Sequence, residues 1–295
     1  MKIELEPGIY VAAVSGGVDS MVLLDVLRQM DGVKLVVAHF DHGIRDDSEA
    51  DRRLVQRVAA SHGLPFVFGE GKLGPDANEA TARRARYEFL QRVKRSSKAR
   101  AILMAHHQDD QIETAIINLV RGTNRRGLTS LKDHEKLRRP LLHMTKRQLR
   151  AYALAHRLEW REDSTNADTV YLRNHIRHRL VPKLTVAQRQ RLTTLLGEAD
   201  KINQELETHL VNYLHMQPSL DVLDRQMFIH LPHNVAREVM ASWLRHRGLT
   251  QFDRATIERL VVGAKTGRHG SQIDVNRGSQ MWISSNKLAL RMNER

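Results

Sequence analysis

Ser15-Gly16-Gly17-Val18-Asp19-Ser20 lies between two apolar stretches, and its reading decides the fold. Before it, Gly8 to Val14 has the look of a buried strand. After it, Met21 to Met30 is apolar at Met21, Val22, Leu23, Leu24, Val26, Leu27 and Met30, which suits a helix. Strand, glycine turn and helix N-terminus together make an anion cradle. Glycines let the backbone approach a phosphate, serine hydroxyls donate, and the first-turn N–H groups point at the ligand. A plain capping turn would explain one serine or one glycine. Five restricted residue types in six positions ask for more.

The loop is not of the Walker kind, because no Gly-x-x-x-x-Gly-Lys-Ser/Thr occurs and Gly263-Ala264-Lys265-Thr266-Gly267 has the wrong spacing. Kinase- or GTPase-type phosphoryl transfer therefore lacks its motif.

Outward from the loop, a strand–helix rhythm continues. Lys34 to Phe40, Leu64 to Gly69 and Arg100 to Ala105 are short apolar runs. Ser48 to His62, Asn78 to Lys94 and Asp109 to Val120 are helix-like segments between and after them. Near-continuous apolar strands alternating with helices predict an α/β fold with a parallel, doubly wound sheet, Rossmann-like, covered on both faces. Ligands bind such sheets at the carboxyl ends of the strands. Thr145 to Leu158 predicts a further helix, and Pro182 marks a boundary. Beyond it, Gln188 to Leu214 and His233 to His246 read as amphipathic helices. From Gly263 to Arg291, Ile273, Val275, Met281, Ile283, Leu288 and Leu290 alternate as strand residues do. The expected organisation is a catalytic domain over 1–185 and a second, mostly helical domain over 186–295 ending in a small β-hairpin.

With 295 residues, 41% of them apolar, the chain can bury a full core. It has no apolar run long enough to span a membrane and no signal-peptide layout at Met1 to Glu6, so a cytoplasmic protein with no membrane partner is expected. Sixteen histidines occur without His-Glu-x-x-His, and no cysteine is present to build a zinc knuckle. The missing cysteines also exclude sulphur transfer, an iron–sulphur cluster and a cysteine glutaminase within this chain. Net charge is +13, and Asn124 to Lys183 alone holds 15 Lys and Arg against 6 Asp and Glu, a local excess of +9. A solvated basic face is the bland explanation. Concentration beside the loop, with five histidines in the same stretch, favours a nucleic-acid partner. No oligomeric state follows from the sequence.

Four clusters carry possible chemistry. Phe40-Asp41-His42-Gly43-Ile44-Arg45 sets three polar groups at a strand end. In His106-His107-Gln108-Asp109-Asp110-Gln111-Ile112-Glu113-Thr114, Asp110 and Glu113 share a helix face. Such acids suit a helix dipole, yet beside a phosphate loop they also suit a cation or the proton of an amine. Asn78 to Tyr87 is a basic helix with Arg83 and Arg86 three apart. Trp160 to Asn166 and Leu172 to Arg179, the latter with Arg173 and Arg177, suit RNA backbone contacts and base stacking.

Ser15 to Ser20 resembles the loop of the N-type ATP pyrophosphatases, the PP-loop family, which split ATP between the α- and β-phosphates. Taken with Asp41-His42-Gly43-Ile44-Arg45, Asn78-Glu79-Ala80-Thr81-Ala82-Arg83, Ala105 to Thr114, Arg139-Pro140-Leu141-Leu142, Asp163-Ser164-Thr165-Asn166 and Arg173-Asn174-His175-Ile176-Arg177, it resembles the tRNA(Ile)-lysidine synthetase family over about residues 8–183. Gly43-Ile44 departs from that family's more usual hydrophobic pair before Arg45. The resemblance implies ATP and Mg²⁺ as co-substrate and cofactor, and tRNA(Ile) with a wobble cytidine and free L-lysine as partners. It also implies adenylation of the carbonyl oxygen at carbon 2 of the cytidine, followed by attack of the lysine amine on that carbon with loss of AMP. Ser15, Gly16, Gly17, Val18, Asp19 and Ser20 would hold the pyrophosphate. Asp41, Asp109, Asp110 and Glu113 are the catalytic candidates, with Asp41 and Asp109 also candidates for the metal. Arg83, Arg86, Arg173 and Arg177 are the tRNA-binding candidates. A small-molecule adenylating amide ligase of the NAD-synthetase type is the alternative, but it has no use for so concentrated a basic region.

Overall fold

In the computed structural model, which describes residues 3–43, 48–71, 79–162, 172–250 and 252–292, the run before the loop is strand β1 (Gly8–Ala13). It is followed by α1 (Val18–Leu27), β2 (Val33–Asp41), α2 (Ser48–Ser61), β3 (Phe66–Glu70), α3 (Glu79–Ser96), β4 (Ala101–Leu103) and α4 (Gln108–Val120). A short α5 (Arg125–Leu128) leads to the two-residue β5 (Leu137–Arg138) and then to α6 (Lys146–Ala155). α7 (Leu172–His175) continues into a π-helical turn, Ile176–Leu180, and a 3₁₀ turn, Val181–Lys183. The chain forms two compact units, Met1–Ala199 and Asp200–Arg295, and the long α8 (Val186–His215) runs through the division.

The first unit is a five-stranded sheet in the order β3-β2-β1-β4-β5, with every pairing parallel. Side-chain alternation along β1 explains its two layers. Tyr10 and Ala12 face α1, α2 and α6 with Met21, Leu24, Val55 and Leu149, while Val11 faces α3 with Phe89, Leu90 and Val93. Each fully buried Leu, Val or Phe contributes about 1.5–3 kcal/mol of transfer free energy, so α1, nearly all of it buried, is held by packing on every side. Its single buried acid, Asp25, accepts from Arg28 Nη2 at 2.6 Å, from Gln29 Nε2 at 3.0 Å and from the Tyr152 hydroxyl of α6 at 2.9 Å. Burial, with the Asp25 carboxylate beside it, pushes the Tyr152 phenol up. α6 opens with a reciprocal cap, in which Gln148 N–H donates to Thr145 Oγ1 and Thr145 N–H to Gln148 Oε1. β3 closes against α3 at Gly69, where a Cβ would lie 2.6 Å from the Phe89 ring.

The second unit contains the C-terminal part of α8, then β6 (Val222–Asp224), α9 (Arg225–Ile229), α10 (His233–His246), α11 (Arg254–Thr266), β7 (Gln272–Asn276), β8 (Ser279–Ile283) and β9 (Lys287–Met292). The expected hairpin is β7–β8. β9 and β6 enlarge it to a four-stranded antiparallel sheet ordered β6-β9-β8-β7. Val275, Met281, Ile283, Leu288 and Leu290 enter the core with Phe228, Met240, Trp243 and Leu260, as their alternation predicted, and Ile273 packs at its margin. The strand pattern starts later than Gly263, which lies inside α11. A Cβ there would meet Ile273 Cδ1 at 1.9 Å, so this glycine makes room for the sheet. Arg225 finishes that helix by donating to the carbonyls of Ala264, Gly267 and Ser284.

Candidate active site

β1 has β2 on one side and β4 on the other, and the helices after β1 and before β4 lie on opposite faces. This is a topological switch point, where loops diverge and leave a crevice. The loop after β1 occupies it. Gly16 has φ +95°, a backbone region that side chains with a Cβ rarely enter. Gly17 caps α1, and the Ser20 hydroxyl ties the turn by donating to Gly17 O at 2.8 Å and accepting from Ser15 N–H at 3.2 Å. Arg161 braces the loop from outside it. Its N–H donates to Gly16 O at 3.0 Å, and its Nε donates to Asp51 Oδ1 of α2 at 2.7 Å.

Next to the loop is a cavity of about 430 Å³. Its wall includes Ser15, Gly17, Asp19 and Ser20 from the loop, His39, Asp41 and His42 from the end of β2, and also Arg86, His106 and Arg177. His39 Nδ1 is 2.9 Å from Val14 O. A carbonyl only accepts, so that nitrogen carries the proton, and burial holds the imidazole below its usual pKa despite this bond. Asp41 Oδ1 closes a small turn by accepting from Gly43 N–H at 2.8 Å. Asp19 Oδ2 accepts from Lys146 Nζ at 2.6 Å and lies 3.7 Å from His107 Nε2. Its other oxygen, Oδ1, is buried and has no hydrogen-bond partner among the described residues.

The carboxylates of α4 form a second cluster. Asp110 Oδ2 accepts from the His107 N–H at 3.0 Å and lies 3.4 Å from His107 Nε2. Glu113, whose side chain is only 2% exposed, accepts from Arg173 Nε at 2.6 Å and Arg177 Nε at 2.9 Å. Arg177 Nη2 also reaches Asp110 Oδ1 at 3.2 Å. Burial pushes Asp110 up, but the interactions with His107, His106 and Arg177 and the bond from the His107 N–H outweigh it and hold the carboxyl below its usual range. Burial takes His106 down to about 3; its Nδ1 accepts from Arg139 Nε at 3.2 Å.

The structure therefore brings Ser15, Gly16, Gly17, Val18, Asp19, Ser20 and Asp41 to one crevice, with Asp110 and Glu113 joined to it through Arg177. Asp109 is turned to a different partner, Arg189 of α8. Arg173 and Arg177 engage buried carboxylates instead of presenting an open face, and Arg86 lines the cavity. Arg83, exposed on α3, stacks on the Tyr87 ring, 5.0 Å from its centroid. Ile44, Arg45, Asn78 and Asp163-Ser164-Thr165-Asn166 lie outside the described residues. Lys146, Asp51 and Arg189 join the site without standing out in the sequence, and Arg161, from the stretch Trp160 to Asn166, joins it as a brace of the loop. Lys146 does carry a signal: a cation in the first turn of a helix opposes the helix dipole and needs an acid nearby.

A glycine–serine loop at the switch point of a parallel, doubly wound sheet defines a nucleotide-binding α/β protein. The chain belongs to the PP-loop domain family, whose model matches residues 4–184. It is similar to a tRNA(Ile)-lysidine synthase of Solibacter usitatus, with 32% identity over 92% of this chain and 65% of that one. A Geobacter sulfurreducens protein of the same name is 40% identical over 59% of this chain and 40% of its own length. The chain thus spans about two thirds or less of these relatives. Among solved structures, the U34-tRNA thiolase NcsA from Methanococcus maripaludis with its [4Fe-4S] cluster shares the fold, at TM-score 0.57 and 16% identity over 67% of this chain and 73% of that one. No described helix is long and apolar enough to cross a membrane.

Proposed function

We propose that the protein uses ATP to join free L-lysine to carbon 2 of the wobble cytidine of tRNA(Ile), releasing pyrophosphate and then AMP and leaving lysidine. The observation that carries this is a phosphate cradle beside a cavity and, linked to that cavity through Arg177, a buried carboxylate pair. The names of the similar proteins point the same way and do not favour the amide-ligase alternative. In this reading the first-turn N–H groups of α1 and the hydroxyls of Ser15 and Ser20 hold the departing pyrophosphate. Residues 1–185 perform the chemistry, and 186–295 help choose the tRNA.

A divalent cation fits the residues present, because Asp19 lines the cavity beside the loop and its buried Oδ1 has no partner among the described residues. Asp41, on the same cavity wall, is its companion. Asp109, in its pair with Arg189, is the weaker of the two metal candidates. Mg²⁺ bound there would offset charge on the leaving pyrophosphate. The lysine ammonium, which in water loses its proton only near pH ~10.4, must give that proton up before the amine attacks. Asp110 and Glu113 supply the negative field that positions it and the oxygens that take or relay that proton. Arg83 and its stacked Tyr87 offer the RNA a contact of cation and ring.

The test is to incubate the purified protein with ATP and Mg²⁺, adding tRNA(Ile) and lysine singly and together. Pyrophosphate release that requires tRNA, and AMP release that requires lysine as well, is expected. AMP formation from ATP and a small amine without tRNA would sink the reading.

A further inference from the structure

Glu113 is enclosed, and both of its oxygens are already taken by guanidinium groups, one from Arg173 and one from Arg177. As the structure stands, an incoming ammonium has no vacant oxygen on Glu113, and at Asp110 Oδ1 it meets Arg177 again. The two arginines differ in one respect. Arg177 is also part of the wall of the cavity that adjoins the phosphate loop, with its side chain 36% exposed, and Arg173 is not on that wall. Arg177 further sits in a π-helical turn, Ile176–Leu180, a backbone geometry that is rare and recurs at functional sites.

We infer that Arg177 is a shared cation which couples the two substrates. It occupies the carboxylates of Asp110 and Glu113 until phosphate charge enters the cavity, then turns to that charge and leaves the carboxylates to the lysine ammonium. The inference rests on the function proposed above. It makes Arg177 a positioning residue that sets the order of binding. Nucleotide and lysine must then bind cooperatively, and by linkage each raises the affinity of the other by the same factor. Lysine would also bind more weakly before a nucleotide is in place, which shields the carboxylates from other free amines.

Isothermal titration of L-lysine into the whole protein, with and without Mg²⁺ and α,β-methylene ATP, reads the coupling directly. A gain in lysine affinity of about tenfold with the nucleotide analogue is expected, within the usual allosteric range. In Arg177→Gln, lysine should bind the free protein more tightly than it binds the wild type, and the coupling should fall below about twofold. A merely structural role for Arg177 would weaken lysine binding in both states and leave the ratio unchanged. Arg177→Lys keeps the charge without the fork and should show a reduced ratio, so it serves if the glutamine variant does not fold. Equal lysine affinity with and without nucleotide in the wild type overturns the inference, as does full coupling in either folded variant. Absence of lysine binding in every arm would overturn the proposed function as well, whereas binding of both ligands without coupling removes this inference alone.

Discussion

His106 offers the sharpest test of the electrostatics beside the loop. Its Nδ1 accepts from Arg139 Nε at 3.2 Å, so a proton there would break that bond and set two cations together. Burial, with Arg139, Arg86 and Arg83 opposing the charged form, outweighs the pull of Asp110 and takes the imidazole from 6.5 to about 3. The folded pKa lies below the unfolded one, so between these values only the unfolded chain gains the proton. The stabilisation is therefore complete above about pH 6.5 and is lost as the pH falls. At 1.36 kcal/mol per unit, the loss from this one group is about 2 kcal/mol at pH 5. Burial lowers His39 as well, so it acts in the same direction and the effect of His106 must be isolated. His106→Asn places an amide oxygen where Nδ1 stood and removes the titration. NMR titration of the His106 imidazole is the direct measurement, with that variant giving the assignment. Amide exchange at Ile102 and Leu103 of β4 reports the stability of the first unit. The variant should lose about 2 kcal/mol less than the wild type between pH 7 and pH 5. A His106 pKa of 6 or above, or equal pH slopes in the two proteins, would show that the ring is solvated and the account mistaken.

Three further outcomes are expected. Asp19→Asn should abolish pyrophosphate release while leaving tRNA affinity within about twofold of wild type, because the loop addresses phosphate alone; filter binding and a pyrophosphate assay on one preparation decide it. Gly16→Ala forces a Cβ onto a φ of +95° and should cost about 1–3 kcal/mol at the loop, seen as an ATP affinity at least about fivefold weaker by titration calorimetry. Arg83→Ala should flatten the log–log salt dependence of tRNA binding by about one unit, whereas the ion pair of Arg173 with the buried Glu113 leaves Arg173→Ala with little effect on that slope.

The strand–helix rhythm, the loop and the acids of α4 are all legible in the chain, because parallel strands are short continuous apolar runs and glycine turns have few spellings. β5 is not, since two residues carry no periodicity and its place is set by pairing with Ile102 and Leu103. β6, of three residues, is too short to show a period either. The arginines mislead in a way composition cannot correct. Arg173 and Arg177 look like a basic face until the fold brings Glu113, some sixty residues earlier, against them. Lys146 and Asp19 are 127 positions apart, so their contact exists only in three dimensions.

The two edges of the first sheet bear on how the molecule behaves when crowded. At one edge β5 offers a neighbouring chain only two residues, with Asp133 bound to Arg138 across the turn, which is too little ladder for another strand to join. At the other edge β3 is longer and exposes Val67 and Phe68. There Arg52 lies 4.8 Å over the Phe68 ring and is bonded to Glu70 at 2.9 Å, which sets a charged pair on the free edge. Loss of Arg52 would uncover the Phe68 ring and leave Glu70 without the cation described beside it, and self-association through the sheet would have a place to begin.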